Sequence, residues 1–296
     1  MLGGISYESI AIIGAGKVGT VLATLLTEQG YSVIEVISRT HASAERLATK
    51  VNARIATHPR DITAEMILLT VSDRSIADVA LQVAHTQPSG RILLHTSGAT
   101  GIDALIPAHT AGLHTGSIHP LFSFARDTVT LEELRGTYYA IDGDTVAQAA
   151  ARKLALSLGG KPFTLAADKR ALYHAGAVCA SNYLVTLLLA SARQLTKCGL
   201  SPQDSLDALL PLAFGTLENL SRVGTHALTG PIARGDTTTI DKHLHTLGEN
   251  MPDLVDFYSY LGIMTADIAH ENRQLSTETQ TIIHQLLRRD IHEQTR

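Results

Sequence analysis

Ser9-Ile10-Ala11-Ile12-Ile13-Gly14-Ala15-Gly16-Lys17-Val18-Gly19 is a short apolar run that ends on glycine and passes into a helical pattern through Val18, Leu22, Leu25 and Leu26. The spacing of Gly14, Gly16 and Gly19 between a strand and a helix has a physical reading. The first glycine permits a tight turn, the second lets backbone approach a pyrophosphate, and the third lets helix and strand pack closely. The helix N-terminus then attracts the anion. The spacing alone is weak, and a ligand-free glycine turn would share it, so its neighbours decide.

Those neighbours repeat the pattern. Ser32 to Ser38 reads as a strand followed by a helix from about His41 to Lys50. Met66 to Val71, Ile92 to Thr96 and Leu113 to Ile118 are further apolar runs, with a helix from Ser75 to His85 among them. Continuous apolar strands alternating with amphipathic helices predict a mostly parallel sheet of Rossmann type, with helices on both faces. Tyr138 to Ile141, Thr145 to Leu158 and Lys161 to Leu165 extend it as strand, helix and strand at its edge. After Ala167 everything reads as helix: Asp168 to Cys198, Pro202 to Thr225, Asp236 to Leu247, Pro252 to His270 and Ser276 to Arg289. The expected division is therefore 1–166 for the dinucleotide domain and 167–296 for an all-helical substrate and dimerisation domain.

Cofactor choice is read where the second strand ends, at Ile37-Ser38-Arg39-Thr40. An NAD enzyme usually offers an acid to the ribose there. Ser38 and Thr40 can donate to a 2′-phosphate and Arg39 can pair with it, so NADP(H) is expected. Glu35 has about the right spacing for an NAD acid but falls mid-strand. With Gly14, Ala15, Gly16, Lys17, Val18 and Gly19, the expected cofactor set includes Val71, Ser72, Asp73 and Thr96 at the next strand ends. Ser72 and Asp73 would serve equally as helix caps.

Composition removes other classes. The 296 residues carry a net charge of −4, with Lys and Arg scattered, so a nucleic-acid surface is not expected. Two cysteines in an apolar helical stretch read as reduced core thiols of a cytoplasmic protein. The first nine residues lack a signal-peptide pattern. Ala171 to Ala192 has no Asp, Glu, Lys or Arg and nearly the length of a membrane span. Its His174, Ser181, Asn182 and Thr186 favour instead a helix buried on several sides or in a homodimer interface. His243-Leu244-His245 lacks the spacing of a metal site.

With these residues quoted, the chain resembles a family of NADP-dependent oxidoreductases with a Rossmann-like N-terminal domain and a helical C-terminal domain of unknown function. The resemblance rests on Gly14 to Gly19, Leu94 to Gly98, Gly116 to Leu121, Tyr173 to Asn182 and Leu228 to Asp236. The architecture is similar to that of pyrroline-5-carboxylate reductase, ketopantoate reductase, prephenate dehydrogenase and the β-hydroxyacid dehydrogenases. It implies a reductase of a small, carboxylate-bearing carbonyl or imino acid, working between the two domains and dimeric through the helical one.

Four positions stand out as candidates for the chemistry, and two more for substrate contact. His119, before Pro120 at a strand end, matches a prephenate dehydrogenase histidine and could protonate a nascent alkoxide; a structural histidine at a proline turn is the alternative. His174, Ser181 and Asn182 would share one face of a continuous helix. The related reductases' lysine falls at Val178, which opens the alternatives of an imine substrate, a histidine donor, or a non-catalytic dinucleotide sensor. Asn182 could also bridge two helices. Arg234, in the turn before Asp236, could clamp a carboxylate or pair with Asp236 or Asp241; Ser97 is a further substrate contact.

Overall fold

The computed structural model describes residues 9–289. In chain order the elements are β1 (Ser9–Ile13), α1 (Lys17–Glu28), β2 (Ser32–Ile37), α2 (His41–Val51), β3 (Arg54–Ile55), β4 (Met66–Leu69), α3 (Asp73–Ala84), β5 (Ile92–His95), α4 (Ile106–Thr110) and β6 (His114–Pro120). They continue with α5 (Leu131–Leu134), β7 (Tyr138–Gly143), α6 (Thr145–Ser157), β8 (Lys161–Thr164) and α7 (Arg170–Val178). The helical remainder comprises α8 (Leu184–Lys197), α9 (Pro202–Val223), α10 (Thr237–Asn250), α11 (Val255–Glu271) and α12 (Thr277–Arg289).

The strands form one sheet in the order β3-β2-β1-β4-β5-β6-β7-β8. All pairs are parallel except β6 with β7. Alternate residues of each central strand enter different cores. Ile10, Ile12, Met66 and Leu68 pack with Leu22, Leu25 and Leu47 on one face. Ala11, Ile13, Ile67 and Leu69 pack with Ile76, Ala80 and Leu105 on the other. This two-sided burial is what the unbroken apolar runs required. The reversal at β6–β7 arises because residues 121–137 contain only the single turn α5, too little helix for a parallel crossover, whereas β7 and β8 are joined through α6.

The chain divides into two compact units, one ending at Ser181 and one beginning at Asn182. The first extends past the expected 166/167 division because α7 is tied to the sheet by Arg170, whose side chain bonds Ser97, Ser117 and Asp142. In the second unit, Ile240, Leu244, Val255, Ala266, Ile283 and Leu287 of α10, α11 and α12 form a separate core.

The expected continuous helix Asp168 to Cys198 is interrupted: Cys179–Tyr183 is a π-helix. The wider π turn rotates the residues after Val178, so Ser181 and Asn182 do not continue the line of His174 and Val178 that a 3.6-residue period gives. Cys179 and Cys198 are exposed rather than core thiols. Ala167–Lys197 is long and apolar enough to cross a membrane by length and composition, and only 11% of its most apolar window is buried. Burial on several sides is therefore not realised within this chain.

Candidate active site

At the carboxyl ends of β1, β2 and β4, where strand order switches direction, lies a cavity of about 510 Å³. Gly14 to Gly16, Ser38, Arg39, Thr40, Val71 and Ser72 line it. The three glycines behave differently. Gly14 has φ +116°, and a Cβ there would lie 2.7 Å from the Thr70 carbonyl. A Cβ on Gly19 would lie 2.0 Å from Gly14 O, so helix and strand touch through this glycine. Gly16 faces open space. It is also the N-cap of α1 and provides no side-chain cap. Thr40 and Ser72, at the N-caps of α2 and α3, likewise make no side-chain bond to their helices' backbone; their hydroxyls bond the Ser43 and Ser75 hydroxyls instead. Three helix N-termini therefore meet the cavity without side-chain caps, an arrangement suited to phosphate. Glu35 takes no part. It is wholly buried and accepts bonds from Thr63 N (2.8 Å), Thr63 Oγ1, Ala64 N (3.1 Å) and Arg54 Nη2 (2.7 Å). Burial would raise its pKa, but these donors together hold the carboxyl below its ordinary value.

A second cluster stands at the carboxyl ends of β5 and β6. Ser117 and His119 share one face of β6, two residues apart, while Tyr173 and His174 both lie about one helical turn beyond Arg170 on α7. The two spacings match closely enough to pair them: Arg170 Nη2 donates to Ser117 Oγ (2.8 Å), and His119 Nδ1 and Tyr173 OH lie 2.6 Å apart. The His119 ring meets Tyr173 edge-on at 5.5 Å and His174 at 6.5 Å. Gly98 closes the group. A Cβ there would lie 2.8 Å from His119 Nε2 and 2.9 Å from His174 Nδ1, so only glycine permits this approach.

The cluster's surroundings disfavour the charged forms of His119 and His95. Burial, aided by His174 and Arg170 and opposed by Asp73, pushes His119 down to about 4. Burial and Arg170 push His95 to about 4 as well. Burial lifts the Tyr173 hydroxyl to about 12 against the opposing effect of Arg170. Arg170 is buried and also donates to Ser97 O (3.3 Å) and Asp142 Oδ2 (3.2 Å). At neutral pH His119 is thus not an imidazolium, and any proton it gives comes from neutral ring N–H.

A family model described as a Rossmann-like domain matches residues 5–120, and one described as domain of unknown function DUF2520 matches residues 137–265. The chain joins a Rossmann-like domain to a DUF2520 domain. No curated protein matches this Rossmann-like/DUF2520 chain. Among solved structures, it is 24% identical to a candidate NADP oxidoreductase from Bacteroides fragilis (TM-score 0.73, covering 88% of this chain and 100% of that one). It is 25% identical to the Thermotoga maritima protein TM1727 (TM-score 0.72, 89% and 99%). A Plasmodium falciparum pyrroline carboxylate reductase with NADP bound shares 13% identity (TM-score 0.59, 95% and 100%). The chain thus has the fold of these three proteins.

The expected site residues fall in different places. Lys17, Val18, Gly19, Asp73 and Thr96 lie outside the cavity lining. Val18 packs against the core, and the Thr96 hydroxyl bonds Leu69 O (3.3 Å). The Ser97 hydroxyl accepts from Ala99 N (3.2 Å) and Thr100 N (2.9 Å), which shapes the loop around Gly98. His119 and His174 come together, and Ser181 ends the same unit. Asn182 and Arg234 belong to the second unit, both exposed; Arg234 adds to the lowering of the Asp236 carboxyl, whose Oδ1 caps α10 through Thr239 N (3.0 Å).

Sequence reasoning missed Arg170, Tyr173 and Thr70 as site residues. Thr70 Oγ1 holds the glycine turn through Gly14 O at 2.6 Å. One signal was available for Arg170: a cation heading an otherwise uncharged apolar helix. The cavity wall formed by Thr57, His58 and Pro59 gave no signal, since β3 is only two residues long.

Proposed function

We propose that this protein is an NADPH-dependent reductase that transfers hydride to a small carbonyl or imino acid. The observation that carries the reading is the placement of two sites along the carboxyl edge of one sheet: an anion-receptive cavity rimmed by Ser38, Arg39 and Thr40, and a neutral histidine–tyrosine pair beyond β5 and β6. The cradle fits a dinucleotide. Gly16 leaves room for pyrophosphate against the uncapped α1 N-terminus, while Gly14 and Gly19 are occupied by packing. The bound cofactor supplies the hydride; the chain supplies phosphate contacts and a proton donor. NADPH oxidation measured against a panel of 2-keto, 3-keto and cyclic imino acids tests this. A substrate-dependent rate supports it, and no turnover across the panel overturns it.

The 2′-phosphate reading yields a quantitative expectation. Arg39 is exposed on the cavity rim with no side-chain bond among the described residues. NADPH should bind at least about tenfold more tightly than NADH, equivalent to ~1.4 kcal/mol, and Arg39→Asp should remove the difference. Titration calorimetry with both cofactors decides it; equal wild-type affinities refute the assignment.

We also propose a homodimer through the helical unit. Tyr183, Val185, Leu189, Leu212, Phe214 and Met264 are all exposed there, more apolar surface than a soluble monomer usually leaves uncovered. Light scattering should give twice the 31.6 kDa chain mass at micromolar concentration. A clean monomer removes the argument.

A further inference from the structure

Hydride addition to a carbonyl leaves charge on oxygen, and something must neutralise it. In the first unit the shortest contact between two ionisable side chains of the β6–α7 cluster is that of Tyr173 OH with His119 Nδ1, 2.6 Å. His119 Nε2 has no hydrogen-bond partner among the described residues, and Gly98 packs beside it: a Cβ there would lie 2.8 Å from Nε2, so the lack of a side chain leaves that space free. We infer that Tyr173 supplies, through His119, the proton taken up during reduction, and that the substrate is therefore a keto acid rather than an imino acid. This rests on the reductase reading.

The step balances in atoms and charge. Hydride adds to the carbonyl carbon and the C=O π pair moves onto oxygen. That oxygen takes the proton from His119 Nε2, forming the new O–H bond. The Tyr173 O–H bond breaks as its proton moves to Nδ1. The imidazole remains neutral with its tautomer exchanged; once product leaves, the Nδ1 proton returns to the tyrosinate and Nε2 takes a proton from water, which restores the starting tautomer. The groups facing the pair are Arg170 and His174 on α7, Asp73 on α3 and His95 on β5. The Arg170 cation favours the tyrosinate and disfavours an imidazolium, which is the polarity the relay needs. A protonated imine becomes a neutral amine on receiving hydride and needs no such donor.

Two readouts test the inference. In cofactor-free, ¹⁵N-labelled protein, the His119 ring should be mainly the Nε2–H tautomer, and Tyr173→Phe should shift its ring nitrogen resonances toward a mixture. Kinetically, Tyr173→Phe should lower kcat for a 2-keto acid about tenfold or more with KM unchanged, and leave any turnover of a cyclic imino acid unaltered. Unchanged nitrogen resonances, equal loss on both substrate classes, or full keto-acid turnover by Tyr173→Phe would each overturn it. A wild type active only on imino acids overturns the relay and spares the reductase reading. A wild type inert on both classes overturns the two together.

Discussion

Replacing His119 by alanine is expected to cut turnover by about a hundredfold or more while leaving NADPH affinity unchanged. The expectation joins two positions on the sheet. His119 stands near the carboxyl end of β6, where ligands of open α/β sheets collect, and its Nδ1 is already engaged by Tyr173. It does not line the cavity assigned to the dinucleotide, so removing it deletes no phosphate contact. A group that acts only as charge develops affects kcat and leaves cofactor binding alone. Stopped-flow turnover paired with fluorescence titration of NADPH separates the two. Full activity in His119→Ala would leave the histidine a structural role, and loss of NADPH binding would place the cofactor differently.

Arg170→Met should destabilise the first unit by roughly 3 kcal/mol, because it leaves the partly buried Asp142 carboxylate without its cation and strips Ser117 and the Ser97 carbonyl of their donor. Arg170 is only 3% exposed; it binds Asp142, Ser117 and the Ser97 carbonyl at once. Methionine fills similar space, yet leaves Asp142 without its cation. The thermal midpoint should fall by on the order of 10 °C. Asp142→Asn in the same chain should restore part of the loss. The substitution also has an acid signature. His95 and His119 are held near 4, well below an unfolded histidine, so the folded state binds fewer protons than the unfolded one between about pH 6.5 and 4. Stability should therefore decline as pH falls through that window. Removing the neighbouring cation raises both folded values and should flatten the decline. A thermal midpoint within 2 °C of wild type, about 1 kcal/mol, would refute the buried-pair argument.

The sheet was legible because its signals are local and redundant. Ile10 to Ile13 and Met66 to Leu69 are apolar without alternation, and the glycine spacing fixes where the first strand ends. Setting Glu35 aside as an NAD acid also had a local basis, since it falls before the turn at Ser38; its full enclosure by Thr63, Ala64 and Arg54 could not be read from spacing. The candidate site was harder. His119 and His174 stand out separately, one at a strand end and one as a polar position in an apolar helix. Tyr173, the partner of His119, looks in sequence like one more helix residue, because its meaning depends on a contact across 54 positions of chain. The helix carrying Ser181 and Asn182 misleads for another reason. Hydrophobic periodicity does not reveal a π turn, so it draws a single face through residues that the extra turn width rotates apart.

The pairing of α7 with β6 makes chain length itself a functional parameter. Arg170 bonds Ser117 and Tyr173 bonds His119 as two rungs of one ladder. Each added or deleted helical residue turns the rest of the helix by roughly 100°. One alanine inserted between Arg170 and Tyr173 would leave composition, helicity and charge almost unchanged, yet swing the phenol away from the imidazole. Substitutions along α7 away from Arg170 and Tyr173 can thus be absorbed one by one, whereas a single-codon insertion or deletion between those rungs cannot.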